Sequence, residues 1–398
     1  MIRQLFNIIA SPEAKNRLFL VRTVVCAGLI AGILTSETLW INDRFFPLTP
    51  VTDLLPLLPP PYDNLLLILV LALSALLVFY PHKYLFGLFY LSSFYLVLQD
   101  LTRFQPWFYH YLALLGAVAW YESTPHRNNG RSALVICQTV LVGIYLWSGI
   151  HKINYVYLYD TFEWLIRPGL ETFPALKSLP LPYLALASAL IEAGAALLLL
   201  FRTTRVYAVG ILAGMHLFIL LMVGPGGLAY NSVIYPWNIS FMLLLPILFL
   251  GTGIHIYRLQ LFRPNSLYHG VITALFILMP LLNYWDLWDH YPSGSLYSGK
   301  KPHAVLNVSK SVRSAFPDRI LREFDSAGRL NIRNWALAEL NTPEYPQPRV
   351  YKHIFRELCT YEERDYALVL EIYHTADLIT GRRSTDALFC TDVKKINP

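Results

Sequence analysis

The sequence predicts an all-α polytopic membrane bundle of about nine transmembrane helices, followed by a small C-terminal α+β extracytoplasmic domain. Of its 398 residues, 55% are hydrophobic and 15% are charged, whereas soluble domains average about 25% charged residues. Long apolar runs recur up to about residue 290, where charged residues become frequent and the runs shorten. We therefore assign residues 1–289 to a transmembrane domain and residues 290–398 to a small soluble domain.

The predicted membrane helices follow from the length of the apolar runs, because about 20 apolar residues are needed to cross a bilayer. The candidates are 18–37, 64–80, 84–99, 107–121, 132–150, 182–201, 206–224, 237–257 and 268–285. The third and fourth are short and rich in aromatic residues, so a tilted or re-entrant arrangement stays open for them. No convincing cleavage site follows the first run, which we interpret as a retained helix and not a signal peptide.

The distribution of lysine and arginine predicts the orientation, because cytoplasmic loops carry the excess of these residues. With a cytoplasmic N-terminus, eleven of them fall on the inner side and five in the outer loops before the C-terminal domain. The inner residues are Arg3, Lys15, Arg17, Arg22, Lys83, Arg127, Arg131, Arg202, Arg205, Arg258 and Arg263. The outer residues are Arg44, Arg103, Lys152, Arg167 and Lys177. This predicts a multi-pass protein of a bacterial inner membrane or the endoplasmic reticulum, with the C-terminal domain outside the cytoplasm.

Several function classes find no support in the sequence. The net charge of +6 has no basic stripe or recognition motif beside it, so the lipid bilayer and not nucleic acid is the expected partner. No phosphate-binding loop, nucleophile elbow or dinucleotide fingerprint is present. No internal repeat is obvious, which disfavours a transporter built from inverted repeats.

The C-terminal domain carries a strand signal and two cysteines. Apolar and polar residues alternate from Tyr366 to Tyr373, as in a half-buried strand. Cys359 and Cys390 fall in this domain, whose predicted compartment is oxidising, and we predict a disulfide between them. Two unrelated buried thiols are the alternative, because spacing does not fix their geometry. The four cysteines show no CxxC or Cys/His pattern, so no metal site is predicted.

The first candidate site residue is Lys152, which closes an apolar run and is flanked by His151 and Asn154. An ionisable group at such a place is a functional-site hypothesis, because its burial is expensive. The residues on its helix face are Gly149, Ser148, Tyr145 and Leu141. This face suits close helix contact or a ligand, whereas a lysine that snorkels to the membrane interface is the alternative.

Two more ionisable residues lie inside predicted helices. Glu192 is about ten residues into the sixth helix, roughly 15 Å deep. Small residues share its stripe, so we expect it to face protein, either protonated or paired with a cation. His216 lies halfway along the seventh helix, and a Glu192–His216 pair would lower the cost of burying both. A core histidine whose hydrogen bonds are satisfied is the alternative. Direct pairing of Glu192 with Lys152 is not expected unless the helices tilt, because Glu192 lies roughly 15 Å deeper.

A break after the seventh helix supplies two further candidates. The segment Gly224-Pro-Gly-Gly227 favours irregular backbone, which is tolerated near a membrane where it is buried or lines a cavity. Asn231 and Trp237 follow this break at the predicted outer surface. We expect Lys152, Asn231 and Trp237 to converge on one outer-facing pocket.

The stretch Ser-Gly-Ile-His-Lys-Ile-Asn at 148–154 resembles the signature of the vitamin K-dependent γ-glutamyl carboxylase family and its bacterial HTTM-domain relatives. Ile191 to Leu200 resembles that family's acidic-then-glycine helix, and Met215 to Phe218 its later histidine helix. Asn283 to Gly299 is similar to the entry into its lumenal domain. The order and spacing agree over about residues 100–300.

The resemblance implies that Lys152 is the general base that deprotonates a reduced, vitamin K-like quinone at the outer face. His151, Asn154, Glu192 and His216 would then shape the site below its mouth. Such a lysine must be neutral at the working pH, and desolvation lowers the pKa of lysine from about 10.4. The tail of about 110 residues does not match the carboxylase's substrate-holding domain, so glutamate carboxylation is not implied. The alternative is a non-catalytic membrane protein whose outer domain recognises a protein partner.

Overall fold

The computed structural model describes residues 13–52, 54–123, 129–251, 266–361 and 367–394. Helices dominate the part before about residue 300, and every described strand follows it. The helices before the sheet are α1 (Ala14–Thr35), α2 (Glu37–Trp40), α3 (Tyr62–Phe79), α4 (Lys83–Gln99), α5 (Pro106–Ser123), α6 (Asn129–His151), α7 (Phe162–Thr172), α8 (Leu181–Leu198), α9 (Arg205–Val223), α10 (Ile234–Phe249) and α11 (Leu267–Thr273).

Six helical segments of the described chain are long and apolar enough to cross a bilayer, as expected of an integral membrane protein. They are Ala14–Thr35, Tyr62–Phe79, Gly130–His151, Leu181–Leu198, Arg205–Val223 and Leu267–Trp285, the last combining α11 with the π-helical and 3₁₀ turns after it.

The predicted count of nine spans is not confirmed. The other three predicted spans are helical, as α4, α5 and α10, but α4 and α10 have only 17 and 16 residues. At 1.5 Å per residue both are shorter than a hydrocarbon core of about 30 Å. Four arginines that entered the orientation count lie outside the described residues, as does the end of the predicted span 237–257. These arginines are Arg3, Arg127, Arg258 and Arg263.

Helix α6 lies at the centre of the bundle, where α1, α5 and α8 pack around it. It is the most enclosed of the six spans, whereas α8 and α9 leave most of their surface exposed. This difference follows from the sequence of α6, which has buried residues around its whole circumference, Val135, Leu141 and Tyr145 among them. Polar groups at its end are therefore surrounded by protein.

The C-terminal part contains a four-stranded antiparallel sheet in the order β2-β1-β3-β4. Its strands are β1 (His303–Val308), β2 (Arg329–Asn331), β3 (Leu368–Tyr373) and β4 (Thr385–Phe389), and its helices are α12 (Lys310–Arg313), α13 (Asp318–Leu321), α14 (Ile332–Leu340), α15 (Pro348–Leu358) and α16 (Cys390–Lys394). The alternating burial of β3 confirms the predicted strand, and Leu306 of β1 lies opposite Leu370 in the core.

The predicted disulfide between Cys359 and Cys390 is confirmed. It joins the residue after α15 to the first residue of α16, on the side of β4. Cys26 and Cys137 are free and buried in the helical bundle.

The C-terminal domain is seated on one end of the bundle, which we call the domain end. The carboxylate of Glu339 in α14 accepts hydrogen bonds from the backbone N–H groups of Phe45 and Phe46, at 2.7 and 3.0 Å. Its backbone carbonyl accepts one from the Thr38 hydroxyl at 2.7 Å. Asn341 donates to the Thr35 carbonyl at 2.6 Å. These bonds hold α14 against the end of α1 and the segment that follows it, and the candidate site lies between the domain and the bundle.

Candidate functional site

Lys152 forms a buried ion pair with Glu192 at the domain end of α6. The ammonium group donates to the Glu192 carboxylate and, at 3.3 Å, to the Ser148 hydroxyl one helical turn back. Both charged side chains are less than one-tenth exposed. Lys152 therefore does not snorkel, and its face is the one that helical spacing predicts.

The expectation that Lys152 and Glu192 are too far apart is wrong. It assumed that α6 and α8 reach the same membrane surface at the same level. Instead, the first turns of α8 project beyond the end of α6, where Tyr157 and Phe162 pack on Ala185 and Ala189. Glu192 thus lies at the level of Lys152, and its predicted orientation toward protein is observed.

Close approach of α6 and α8 depends on Gly149. A Cβ atom at this position would lie 2.5 Å from the backbone nitrogen of Ala193 and 2.7 Å from the backbone oxygen of Ala189. Of the two contacted residues, Ala189 belongs to the stripe of small residues predicted around Glu192, whereas Ala193 lies outside that stripe. The contact places Lys152, three residues after Gly149, beside the carboxylate.

His216 does not pair with Glu192. Its Nε2 lies 2.7 Å from the Tyr145 hydroxyl, and its Nδ1 lies 2.7 Å from Oδ1 of Asn238. Asn238 donates through its Nδ2 to the Ile234 carbonyl at 2.8 Å, so its Oδ1 is the atom that accepts from His216. Nδ1 then carries a proton, and Nε2 shares its hydrogen bond with the Tyr145 hydroxyl. Both ring nitrogens of His216 therefore have a partner.

His151 and Asn154 flank Lys152 but serve the local structure. His151 is buried, and its ring centroid lies 5.4 Å from that of Trp147 and 5.0 Å from that of Tyr284. Asn154 donates to the carbonyls of His151 and Ser298 at 2.8 and 2.9 Å, and its Oδ1 accepts from the Tyr157 N–H at 3.1 Å. These bonds fix the turn after α6 and leave the Asn154 amide occupied.

A cavity of about 510 Å³ lies between the domain end of the bundle and the sheet. Asn231 and Trp237 line it, as predicted, but Lys152 is not among its lining residues. The cavity wall includes Val156, and the ring of the next residue, Tyr157, is centred 6.0 Å from the Lys152 ammonium. The predicted convergence of Lys152 with Asn231 and Trp237 is therefore wrong in detail, because the turn after α6 lies between them.

The cavity is aromatic and basic. Its aromatic residues are Trp107, Trp164, Tyr230, Trp237, Tyr291 and Tyr297. On the sheet side it is lined by Lys301, His303, Arg333 and Arg383, and Asp160 is the one carboxylate among the described lining residues. Burial lowers the pKa of His303 to about 4 and that of Arg383 to about 10. Among the basic groups, His303 is thus neutral at physiological pH.

Sequence reasoning missed the basic side of this cavity. Lys301 precedes β1, Arg333 lies in α14 and Arg383 precedes β4, so no local pattern connects them. The sheet brings them together because β1 pairs with both β2 and β3, and β3 pairs with β4. The only sequence signal was the rise in charge after about residue 290.

A second cavity, of about 1040 Å³, is an apolar groove between α4, α5 and α11. It contains none of the predicted site residues. The hydroxyl of Tyr109, which lines the groove, donates to the carbonyl of Tyr291, which lines the first cavity. No group of three or more His, Cys, Asp or Glu side chains that could hold a metal ion occurs among the described residues.

The chain matches no family model, no curated protein and no solved structure. Its function therefore has to be inferred from the site itself.

Proposed function

We propose that the protein is an integral membrane enzyme in which Lys152 and Glu192 act as one acid–base pair toward a lipophilic, quinol-like molecule. The observation that carries the proposal is the buried ion pair at the edge of the bundle. Removing two charges from water costs several kcal/mol for each ion, and the mutual attraction often fails to repay it. Such pairs persist where they serve the function.

The surroundings of the pair support a chemical role. The hydroxyls of Ser148 and Tyr145 and the ring of His216 lie in the same buried region, on helices that are otherwise apolar. Tyr145 and His216 form a chain of satisfied hydrogen bonds, which fixes their orientation next to the pair. Polar groups from three helices thus meet in an apolar bundle.

The cavity next to the pair fits a quinol headgroup. Its volume of about 510 Å³ lies within the roughly 300–1,000 Å³ that is typical of small-molecule sites. Trp164 and Trp237 offer apolar faces to an aromatic ring, and Asn231 adds a polar group at the same wall. A reduced quinone would supply an acidic hydroxyl group, and its isoprenoid tail would remain in lipid.

The proposed proton transfer uses the pair in two steps. Binding of an apolar molecule beside the pair lowers the polarity of its surroundings and makes the separated charges more costly, so the proton moves from Lys152 Nζ to the Glu192 carboxylate. Displacement of the Tyr157 side chain exposes the neutral amine to the cavity. The substrate O–H bond then breaks, an N–H bond forms on Lys152, and the electron pair stays on the oxygen as an oxyanion.

Oxidation of a naphthohydroquinone in air tests this proposal, because a quinolate anion reacts with dioxygen faster than the neutral quinol. We expect the purified protein in lipid nanodiscs to accelerate the loss of quinol absorbance. Lys152→Ala and Glu192→Gln should each reduce the acceleration at least tenfold, whereas Lys177→Ala, at an exposed lysine, should not. A folded Lys152→Ala variant with the full rate would exclude Lys152 as the base, and no acceleration by the wild-type protein would leave a non-catalytic binding protein. Glu192→Gln keeps the side-chain volume, so it remains informative if Lys152→Ala does not fold.

We further propose that the N-terminus is cytoplasmic and that the domain end faces the opposite side. The support is the excess of lysine and arginine in the segments at the other end of the bundle. The described members of this set are Lys15, Arg17, Arg22, Lys83, Arg131, Arg202 and Arg205. An alkaline phosphatase fused after Pro398 should be active in intact bacterial cells. Activity of a cytoplasmic reporter at the same position would reverse the orientation.

A further inference from the structure

The charged side chains that line the cavity beside the ion pair are mostly cationic. Three cationic side chains and one carboxylate, that of Asp160, line it. The indole N–H groups of Trp107 and Trp237 are buried and have no hydrogen-bond partner among the described residues. An unpartnered buried donor costs about 1–3 kcal/mol. These features favour a ligand that brings acceptor atoms and an aromatic body.

Among Lys301, Arg333 and Arg383, Lys301 is the one whose side chain makes no hydrogen bond or ion pair within the described residues. The Arg383 guanidinium is occupied by the carbonyls of Gly299, Lys301 and His374, at 2.7, 2.9 and 2.6 Å. Arg333 lies 3.7 Å from the Glu344 carboxylate. The Lys301 ammonium has neither a hydrogen bond nor an ion pair among the described residues, and it lies 5.0 Å from the Tyr291 ring centroid.

The surroundings of Lys301 favour its neutral form. Burial lowers the pKa of Lys301 to about 7, the charge of Arg333 lowers it further, and Glu344 opposes the change. The charged and titratable groups around the cavity and Lys301 are Asp160, Tyr230, His290, Tyr291, Tyr297, Lys300, His303, Arg333, Glu344 and Arg383. A substantial fraction of Lys301 is therefore an uncharged amine at neutral pH, in contrast to Lys152 beside its carboxylate.

We propose that this cavity binds an aromatic acid, either an acidic phenol or an aromatic carboxylic acid, and that Lys301 takes up its proton. On binding, the O–H bond of the ligand breaks, the proton joins the Lys301 Nζ, and the resulting anion pairs with the new ammonium group. Arg333 and the free indole N–H groups stabilise the same anion, and Trp164 and Trp237 pack on the ring.

This role differs from the one proposed for Lys152 and does not rest on it. An amine with a pKa of about 7 takes protons readily from groups of similar or lower pKa. Quinol hydroxyls are weaker acids than acidic phenols, so Lys301 is suited to the stronger acids. The two lysines can therefore be tested separately.

The probe 4-nitrophenol reports its own deprotonation, because the phenolate absorbs at a longer wavelength than the phenol. In nanodiscs at about pH 7, wild-type protein should bind it and produce a larger phenolate band than the same concentration of probe free in buffer. Lys310→Gln, at an exposed lysine of the same domain, should retain the band, and Lys301→Gln should lose it. Lys152→Gln protein that is shown to be folded should also retain the band. The methyl ether 4-nitroanisole should bind wild type and Lys301→Gln equally, because it has no proton to give.

Three results would overturn the proposal: no phenolate band with wild type, an undiminished band with Lys301→Gln, or a band that depends on Lys152 instead. Competitive reductive methylation tests the proposal in the wild-type protein, without any substitution. Lys301 should react half-maximally near pH 7 and be protected by 4-nitrophenol, whereas Lys310 should need a far higher pH and show no protection. Equal pH profiles for the two lysines would also exclude the proposal.

Discussion

The ammonium group of Lys152, at the end of α6, donates to the carboxylate of Glu192 in the middle of α8. The two side chains are buried together, where neither charge has access to bulk water. Each residue can therefore be buried because the other compensates its charge. Their contact explains how the bundle holds a lysine and a glutamate among apolar helices, and it makes the pair sensitive to changes on either side.

Removal of one member of the pair should destabilise the protein strongly. Lys152→Met or Glu192→Leu leaves the other charge buried without a partner, which costs about 3–5 kcal/mol. The double variant should be closer to wild type than either single variant, because no unpaired charge remains. Thermal unfolding in detergent, followed by the light scattering and fluorescence of the protein, measures this. Additive losses in the double variant would contradict a direct interaction.

A methyl group at Gly149 should separate α6 from α8. The Cβ atom of Gly149→Ala would collide with the backbone of Ala189 and Ala193, and overpacking of this kind costs about 1–3 kcal/mol. Gly194→Ala is the matched control in α8, because a Cβ atom there meets no atom within 4 Å. We expect a lower unfolding temperature for Gly149→Ala only. Equal behaviour of the two variants would show that the helices are not in close contact at Gly149.

Loss of the disulfide should destabilise the C-terminal domain. Cys359 and Cys390 enclose a loop with a sequence separation of 31, and removal of such a crosslink costs about 2–4 kcal/mol. In a background of Cys26→Ser and Cys137→Ser, Cys390→Ser should increase proteolysis of the domain and release one alkylatable thiol. In the background protein that retains Cys390, mass spectrometry should find that neither Cys359 nor Cys390 is alkylated. Two alkylatable thiols before reduction would contradict the bond.

The stability of the protein should rise with pH between about pH 7 and about pH 10 through Lys301. Its folded pKa of about 7 lies below the unfolded value of about 10.4. Between these values the unfolded chain binds more protons, so higher pH favours the folded state. Lys301→Met should show a smaller gain in melting temperature from about pH 7 to about pH 9.5 than wild type or Lys310→Met. An equal gain in the wild type and both variants would assign the pH dependence to other groups. One such group is Lys300, whose pKa is lowered by burial to about 8.

The sequence by itself determined where the helices lie, which face Glu192 presents to the protein, and that Cys359 and Cys390 share a domain. These properties follow from local rules: the length of an apolar run, the stripe of small residues that includes Ala189, and the alternation of residues in β3. The same rules placed Lys152 on the face of Ser148, because a helix fixes its own side-chain directions.

Only the tertiary structure decided which groups meet. Counting residues along each helix predicted that Lys152 and Glu192 lie at different depths in the membrane. The relative shift of α6 and α8 instead depends on packing around Gly149 and Tyr157, which no local pattern encodes. The basic side of the cavity likewise combines Lys301 with Arg333, which pairing of β1 with β2 brings together. Sequence patterns predict which way the side chains of one helix or strand point. A site also depends on how neighbouring helices and strands are positioned relative to one another.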